Sequence, residues 1–238
     1  MPGRPRALPF VIVGVFTILL VGAIVLSLST APPLDEQQLH VAATATLNAS
    51  GFVLVDTISV TSPGSAAPAP GSQTVVVRAL YQAPDAIEES EVGPGTQSAA
   101  VIVIGARRFR ESGSQWTELP PSPGAGTAVV KTVRLPLQAA AGAVEATRHG
   151  DLYHFVPAGI ERFLASVLGV RPSQLSSPRL TAEVRGEFLT HERITALVGR
   201  QRLTVDHEFS DIGSAPPVVA PPTSSLVPGR SSGATVTP

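Results

Sequence analysis

Apolar residues run without an ionisable interruption from about Ala7 to Leu28. Roughly 20 such residues span a bilayer core as a helix, so one transmembrane helix over residues 7–29 is expected. After a short linker, 30–33, the pattern changes. Leu34-Asp35-Glu36-Gln37-Gln38-Leu39, continuing in alanines to about Leu47, places acids in a first turn with good helix formers behind them, and predicts a helix. Strand patterns follow at Phe52–Val60, Thr74–Tyr81, Ala86–Val92, Ala99–Ile104 running on towards Arg110, and Gln115–Leu119. Leu135–Thr147 is alanine-rich and reads as helix, and Asp151–Val156 as strand. Ile160, Phe163, Leu164, Val167 and Leu168 fall at i, i+3, i+4, i+7 and i+8, an amphipathic helix.

The closing section alternates cleanly. In Arg179–Phe188 the even positions are apolar or small, and around Leu203–Ser210 the alternation returns. There Leu203, Val205 and Phe209 face inward beside His207, while Thr204, Asp206 and Glu208 face water. One wet and one dry face mark an antiparallel sheet folded over a core. The fold class expected is α+β, with a strongly curved antiparallel sheet holding helices on its concave side and a transmembrane helix ahead of it. Residues 34–213 form one exported domain. Pro-, Ser- and Gly-rich stretches at Thr61–Gln73, Gly93–Ser98 and Pro120–Thr127 read as loops within it. The remainder, 214–238, is a Pro/Ser/Gly-rich tail expected to be disordered.

Charge gives the anchor a direction. Arg4 and Arg6 precede the apolar run, while Asp35 and Glu36 follow it. The positive-inside rule puts residues 1–6 in the cytoplasm and the C-terminal domain outside the cytoplasmic membrane. The run exceeds a signal peptide's usual apolar region, and Ser29-Thr30-Ala31 is followed by Pro32 and Pro33, which hinders cleavage; an uncleaved signal anchor is therefore expected. Cleavage is the competing reading, and either way the domain is exported. The chain has no cysteine, which removes disulfides, thiolate metal sites and a lipidation cysteine. A net charge of -1 argues against a nucleic-acid partner.

Three local patterns stand together: Tyr81-Gln82-Ala83-Pro84-Asp85-Ala86-Ile87, a strand ending in an aromatic-x-x-Pro-Asp turn; Val101–Phe109 followed by Trp116-Thr117-Glu118-Leu119, a glycine-turn hairpin; and Phe209–Gly213 followed by Pro216-Pro217-Val218, a terminal strand and proline exit. They resemble the corresponding parts of the LolA-like lipoprotein-carrier superfamily, in particular its LppX/LprG-type lipid-carrier branch. The chain departs from that branch in lacking the lipobox cysteine. The resemblance implies a half-open β-barrel with helices over an apolar cavity that carries lipids, lipidated proteins or other amphiphiles.

Nothing in the sequence carries catalysis. There is no Gly-x-Ser-x-Gly elbow, P-loop or Gly-x-Gly-x-x-Gly after a strand. His191-Glu192 lacks the second histidine of a zinc protease, Thr195 standing in its place, and the five histidines have no metal-ligand spacing. No enzyme activity and no cofactor are expected. His207 points away from Asp206 and Glu208; it faces either a ligand headgroup or a hydrogen-bond partner on a neighbouring strand. Arg107, Arg108 and Arg110 could meet anionic headgroups or simply guard a hairpin edge. Asn48-Ala49-Ser50 matches an acceptor sequon without other support.

The expected function is a membrane-anchored envelope protein holding a lipid or lipidated ligand in an apolar cavity, for storage or transfer at the membrane surface. Ligand-binding candidates are Phe52, Leu54, Val77, Ile102, Ile104, Phe163, Leu164, Val184 and Phe188. The partners are then that ligand, the membrane through the N-terminal helix, and an envelope protein. The alternative is a solid-core sensory or scaffolding module, because periodicity does not distinguish a hollow core from a filled one.

Overall fold

The computed structural model describes residues 34–61, 74–92, 100–159, 162, 164–165 and 171–227. The expected transmembrane segment 7–29, Phe163, and most of the helix expected at 160–168 lie outside them. Among the described residues no helix is long and apolar enough to cross a membrane.

Helix α1 (Leu34–Leu47) comes first, as its sequence predicts, followed by β1 (Gly51–Thr61), β2 (Thr74–Gln82), β3 (Ala86–Val92), β4 (Ala100–Ile104), β5 (Arg107–Ser112) and β6 (Gln115–Leu119). Helix α2 (Ala125–Ala141) leads into β7 (Ala143–His149), β8 (Leu152–Pro157), β9 (Leu175–Arg185), β10 (Phe188–Val198), β11 (Gln201–Ser210) and a short β12 (Leu226–Val227). The strands make one open sheet in the order β12-β6-β5-β4-β3-β2-β1-β11-β10-β9-β8-β7. The pairings are antiparallel except β12 with β6.

The second helix corrects the sequence expectation. It begins at Ala125 within the stretch read as a loop and ends at Ala141, and Ala143–His149 is a strand. Gly124, Gly126 and the internal Pro136 hide the helix start from a propensity argument. What makes it a helix is tertiary: Val130, Val133, Pro136, Leu137 and Ala140 form one buried stripe. Ala143–His149, despite its alanines, is held by its antiparallel pairing with β8. Likewise Arg179–Phe188 is not one strand; a left-handed Gly186 turns the chain and starts β10 at Phe188.

The sheet is strongly curved. Helix α2 touches β2, β3, β4 and β5 as well as β8. Seven strands separate β5 from β8, so a flat sheet would hold them about 40 Å apart. A helix of 17 residues is only about 25 Å long, and the sheet must wrap around it. The start of α2 is seated by Gly126, whose N–H donates to the Gly105 carbonyl, and whose missing side chain leaves room for the Asp85 and Gly105 backbones. The Arg134 guanidinium bonds the Leu47 carbonyl, joining α2 to α1, and the Thr46 hydroxyl accepts the Leu189 N–H of β10.

Two apolar clusters result. The inner one joins both helices to Phe52, Leu54, Ala79, Tyr81, Ile87, Val103, Tyr153, Phe155, Leu180, Ile194, Val205 and Phe209. The outer one lies on the opposite face: Val53, Leu80, Ala86, Ile102 and Phe109, covered by Val218. Where composition promises no packed structure, Ser214–Val227 runs along that face. The Val218 N–H donates to Gln82 Oε1, and Leu226 pairs with Trp116.

Candidate functional site

Between the inner face and α2 lies a cavity of about 400 Å³. β1 supplies Leu54, Asp56 and Ile58, β2 Val77 and Ala79, β3 Glu89, and β11 Leu203, Val205 and His207; Thr132, Val133, Leu135 and Pro136 of α2 close it. The strand residues share one face because side chains two apart on a strand point the same way. This volume falls within the range of small-molecule sites, and the wall is mostly apolar. A wider hollow of about 520 Å³ near β7–β9 is more open to solvent and mixes Phe155 and Leu180 with Glu36, Glu145, His154 and Arg179.

The cavity is not uniformly apolar. Asp56 and His207 are directly opposed on β1 and β11, with Asp56 Oδ1 2.6 Å from His207 Nδ1. A carboxylate only accepts, so Nδ1 carries the proton and donates to it. The His207 side chain is 5% exposed, and its Nε2 has no partner among the described residues. One strand further, Glu192 sits opposite His207, fully buried, with neither carboxyl oxygen partnered among the described residues. Burial holds its carboxyl well above the usual range, and the Asp56 charge pushes the same way. Glu89 is also raised, first by burial and then by Asp56.

The inward orientation expected for Leu203, Val205, His207 and Phe209 is what the structure has, and His207 does bond a neighbouring strand. On the solvent face, Asp206 receives Arg193 and lies 3.1 Å from His191. Among the described residues no group of three His, Asp or Glu is placed to hold a metal ion.

The sequence-derived candidates separate. Leu54 and Val77 meet at the cavity wall. Phe52 is fully buried on the same face but is packed against Tyr81 and Phe209 and does not line the cavity. Leu164 and Val184 belong to the inner cluster away from the lining. Ile102 and Ile104 pack in the outer cluster, and Phe188 is half-buried at the start of β10. Asp56, Glu89 and Glu192 were missed. Their signal was parity: Asp56 shares it with Leu54 and Ile58, Glu89 with Ile87, and Glu192 with Ile194.

Comparison with solved structures finds LprF from Mycobacterium bovis at TM-score 0.47 and 10% identity, covering 79% of this chain and 96% of that one. The lipoprotein LppX from Mycobacterium tuberculosis follows at TM-score 0.42 and 14% identity, covering 79% and 100%. A LolA superfamily protein from Nitrosomonas europaea is found at TM-score 0.30 and 11% identity, covering 73% and 91%. No family model matches this chain, and no curated protein does. What the site does rests on its own residues.

Proposed function

We propose that this protein binds a single hydrophobic or amphiphilic ligand beneath α2, holding it or handing it over at the extracytoplasmic face of the membrane to which its N-terminal segment anchors it. The observation that carries this reading is the cavity of about 400 Å³ between the curved sheet and α2. Well-packed interiors leave few voids larger than a water molecule, so an apolar hollow of this size in a core calls for an occupant. A guest gains about 25 cal/mol per Å² of apolar surface removed from water, roughly 0.8 kcal/mol per buried methylene. Several methylenes thus give useful affinity without specific polar contacts. The site performs no chemistry in this account; it shields a guest from water.

The test is native mass spectrometry with lipid extraction on the full chain purified from membranes, beside Ala79→Phe, which fills the cavity from β2. A stoichiometric adduct in the wild type that is missing from a folded Ala79→Phe supports the reading. A clean apo mass in both, even after incubation with envelope lipids, moves the assignment to a solid-core interaction module.

A further inference from the structure

The polar groups of the cavity wall share one chemistry: they accept hydrogen bonds. Asp56 and Glu89 are carboxyls, and His207 already spends its one N–H on Asp56. The Thr132 hydroxyl donates to the Ala128 carbonyl. Pro136, also in the wall, has no N–H to give the Thr132 carbonyl four residues earlier, so that acceptor loses its helical partner as well. Among the described residues no lysine or arginine lines the cavity. In the neutral imidazole whose Nδ1–H is given to Asp56, the buried Nε2 of the lining residue His207 is a further acceptor, without a partner among the described residues.

Building on the ligand-holding role proposed above, we infer that the guest is an amphiphile with a cationic, hydrogen-bond-donating head such as a primary ammonium, facing Asp56 and Glu89, its hydrocarbon against Leu54, Ile58, Val133 and Leu203. An ammonium brings three donors and no acceptor, complementing a wall of acceptors. Asp56 registers with Val77 and Glu89 with Ala79, so the two flank β2 on a diagonal, their backbones about 12 Å apart, which leaves width for a head between them. Bonds from a cation to carboxylates are about twice as strong as neutral ones. A carboxylate or phosphate head would meet the like charge of Asp56 and drive Glu89 further from its ionised form. Burial and mutual repulsion already disfavour the charged form of Glu89, and a cation placed beside it relieves both.

The experiment is a competition on the full chain in lipid vesicles. A long-chain alcohol with a photoreactive group in its tail labels the cavity, and peptides carrying Val77–Ala79 and Leu203–Val205 report the yield. Dodecylamine and dodecanoate then compete for the site. Dodecylamine should displace the probe at a concentration about tenfold lower or more, equivalent to roughly 1.4 kcal/mol. Glu89→Gln, a half-buried strand position, should bring the two competitors close to parity, read as the ratio of their displacing concentrations within that variant; Asp56→Asn should act in the same direction. Equal displacement by both in the wild type, or a preference unchanged in Glu89→Gln, overturns the headgroup inference and leaves the cavity reading standing. Failure of the neutral probe to label these peptides overturns the cavity reading itself, and the headgroup inference with it.

Discussion

Asp56 and His207 face each other across β1 and β11 with Oδ1 and Nδ1 2.6 Å apart, and they mark where an otherwise apolar sheet face becomes polar. Glu192 continues that row on β10, without a hydrogen-bond partner among the described residues. Three ionisable side chains on adjacent central strands therefore sit beneath or beside the cavity, a costly arrangement for a core that needed only to be filled.

Glu192 makes the protein's stability depend on pH. Its folded-state pKa lies above the unfolded value of about 4.3, so the folded form binds the proton more tightly. The stabilisation is full below the unfolded value and is lost as pH rises through the folded one. Glu192→Gln, permanently neutral and of similar shape, should match the wild type near pH 4 and exceed it in urea midpoint at pH 7–8. An offset constant across pH would contradict this assignment.

The Asp56 charge contributes to the raised pKa of both Glu192 and Glu89. Asp56→Asn should lower both, with burial still keeping Glu192 well above an ordinary carboxylate. Carboxyl-carbon NMR titration of the two side chains checks it, and an unchanged Glu89 would remove the coupling.

Gly126 lets α2 dock. A Cβ there would lie 2.6 Å from the Asp85 carbonyl and 2.9 Å from that of Gly105, both backbone atoms. Gly126→Ala should cost about 1–3 kcal/mol by overpacking, although alanine is the better helix former. Chemical denaturation measures it, and a stabilised variant would show that the helix start is free to shift.

Phe52 tests the packed part of the core. Its ring centroid lies 4.8 Å from that of Tyr81 and 5.5 Å from that of Phe209, and the side chain is fully buried. Phe52→Ala should cost about 3–5 kcal/mol. Val77→Ala at the cavity wall, where the void already exists and Val77 is half-exposed, should cost under about 1.5 kcal/mol. Equal losses would mean that the cavity closes in solution.

The sequence disclosed the sheet better than the helices. Alternation was enough to orient β11 from Leu203 to Phe209, because one face is buried and a slip would reverse it. Helix α2 starts ten residues and ends six residues before the expected Leu135–Thr147, because its stripe Val130, Val133, Leu137 and Ala140 includes β-branched residues and surrounds a proline, and only contact with the sheet decides for a helix. The cavity was legible at Leu54 and Val77 but not at Ile102, since neighbouring apolar strands such as β4 bury both faces here. Ser214–Val227 was opaque for a related reason: its few apolar residues meet a partner, the outer cluster, that composition does not reveal.

The occupied cavity itself is open to direct observation by methyl NMR of the full chain in nanodiscs, titrated with dodecylamine. Shifts confined to the methyls of Leu54, Val77, Val133, Leu203 and Val205, with Val53, Leu80 and Ile102 on the outer face unmoved, are the expected result. Saturating additions that leave the lining methyls unmoved, or that move the outer face equally, would contradict a ligand site beneath α2.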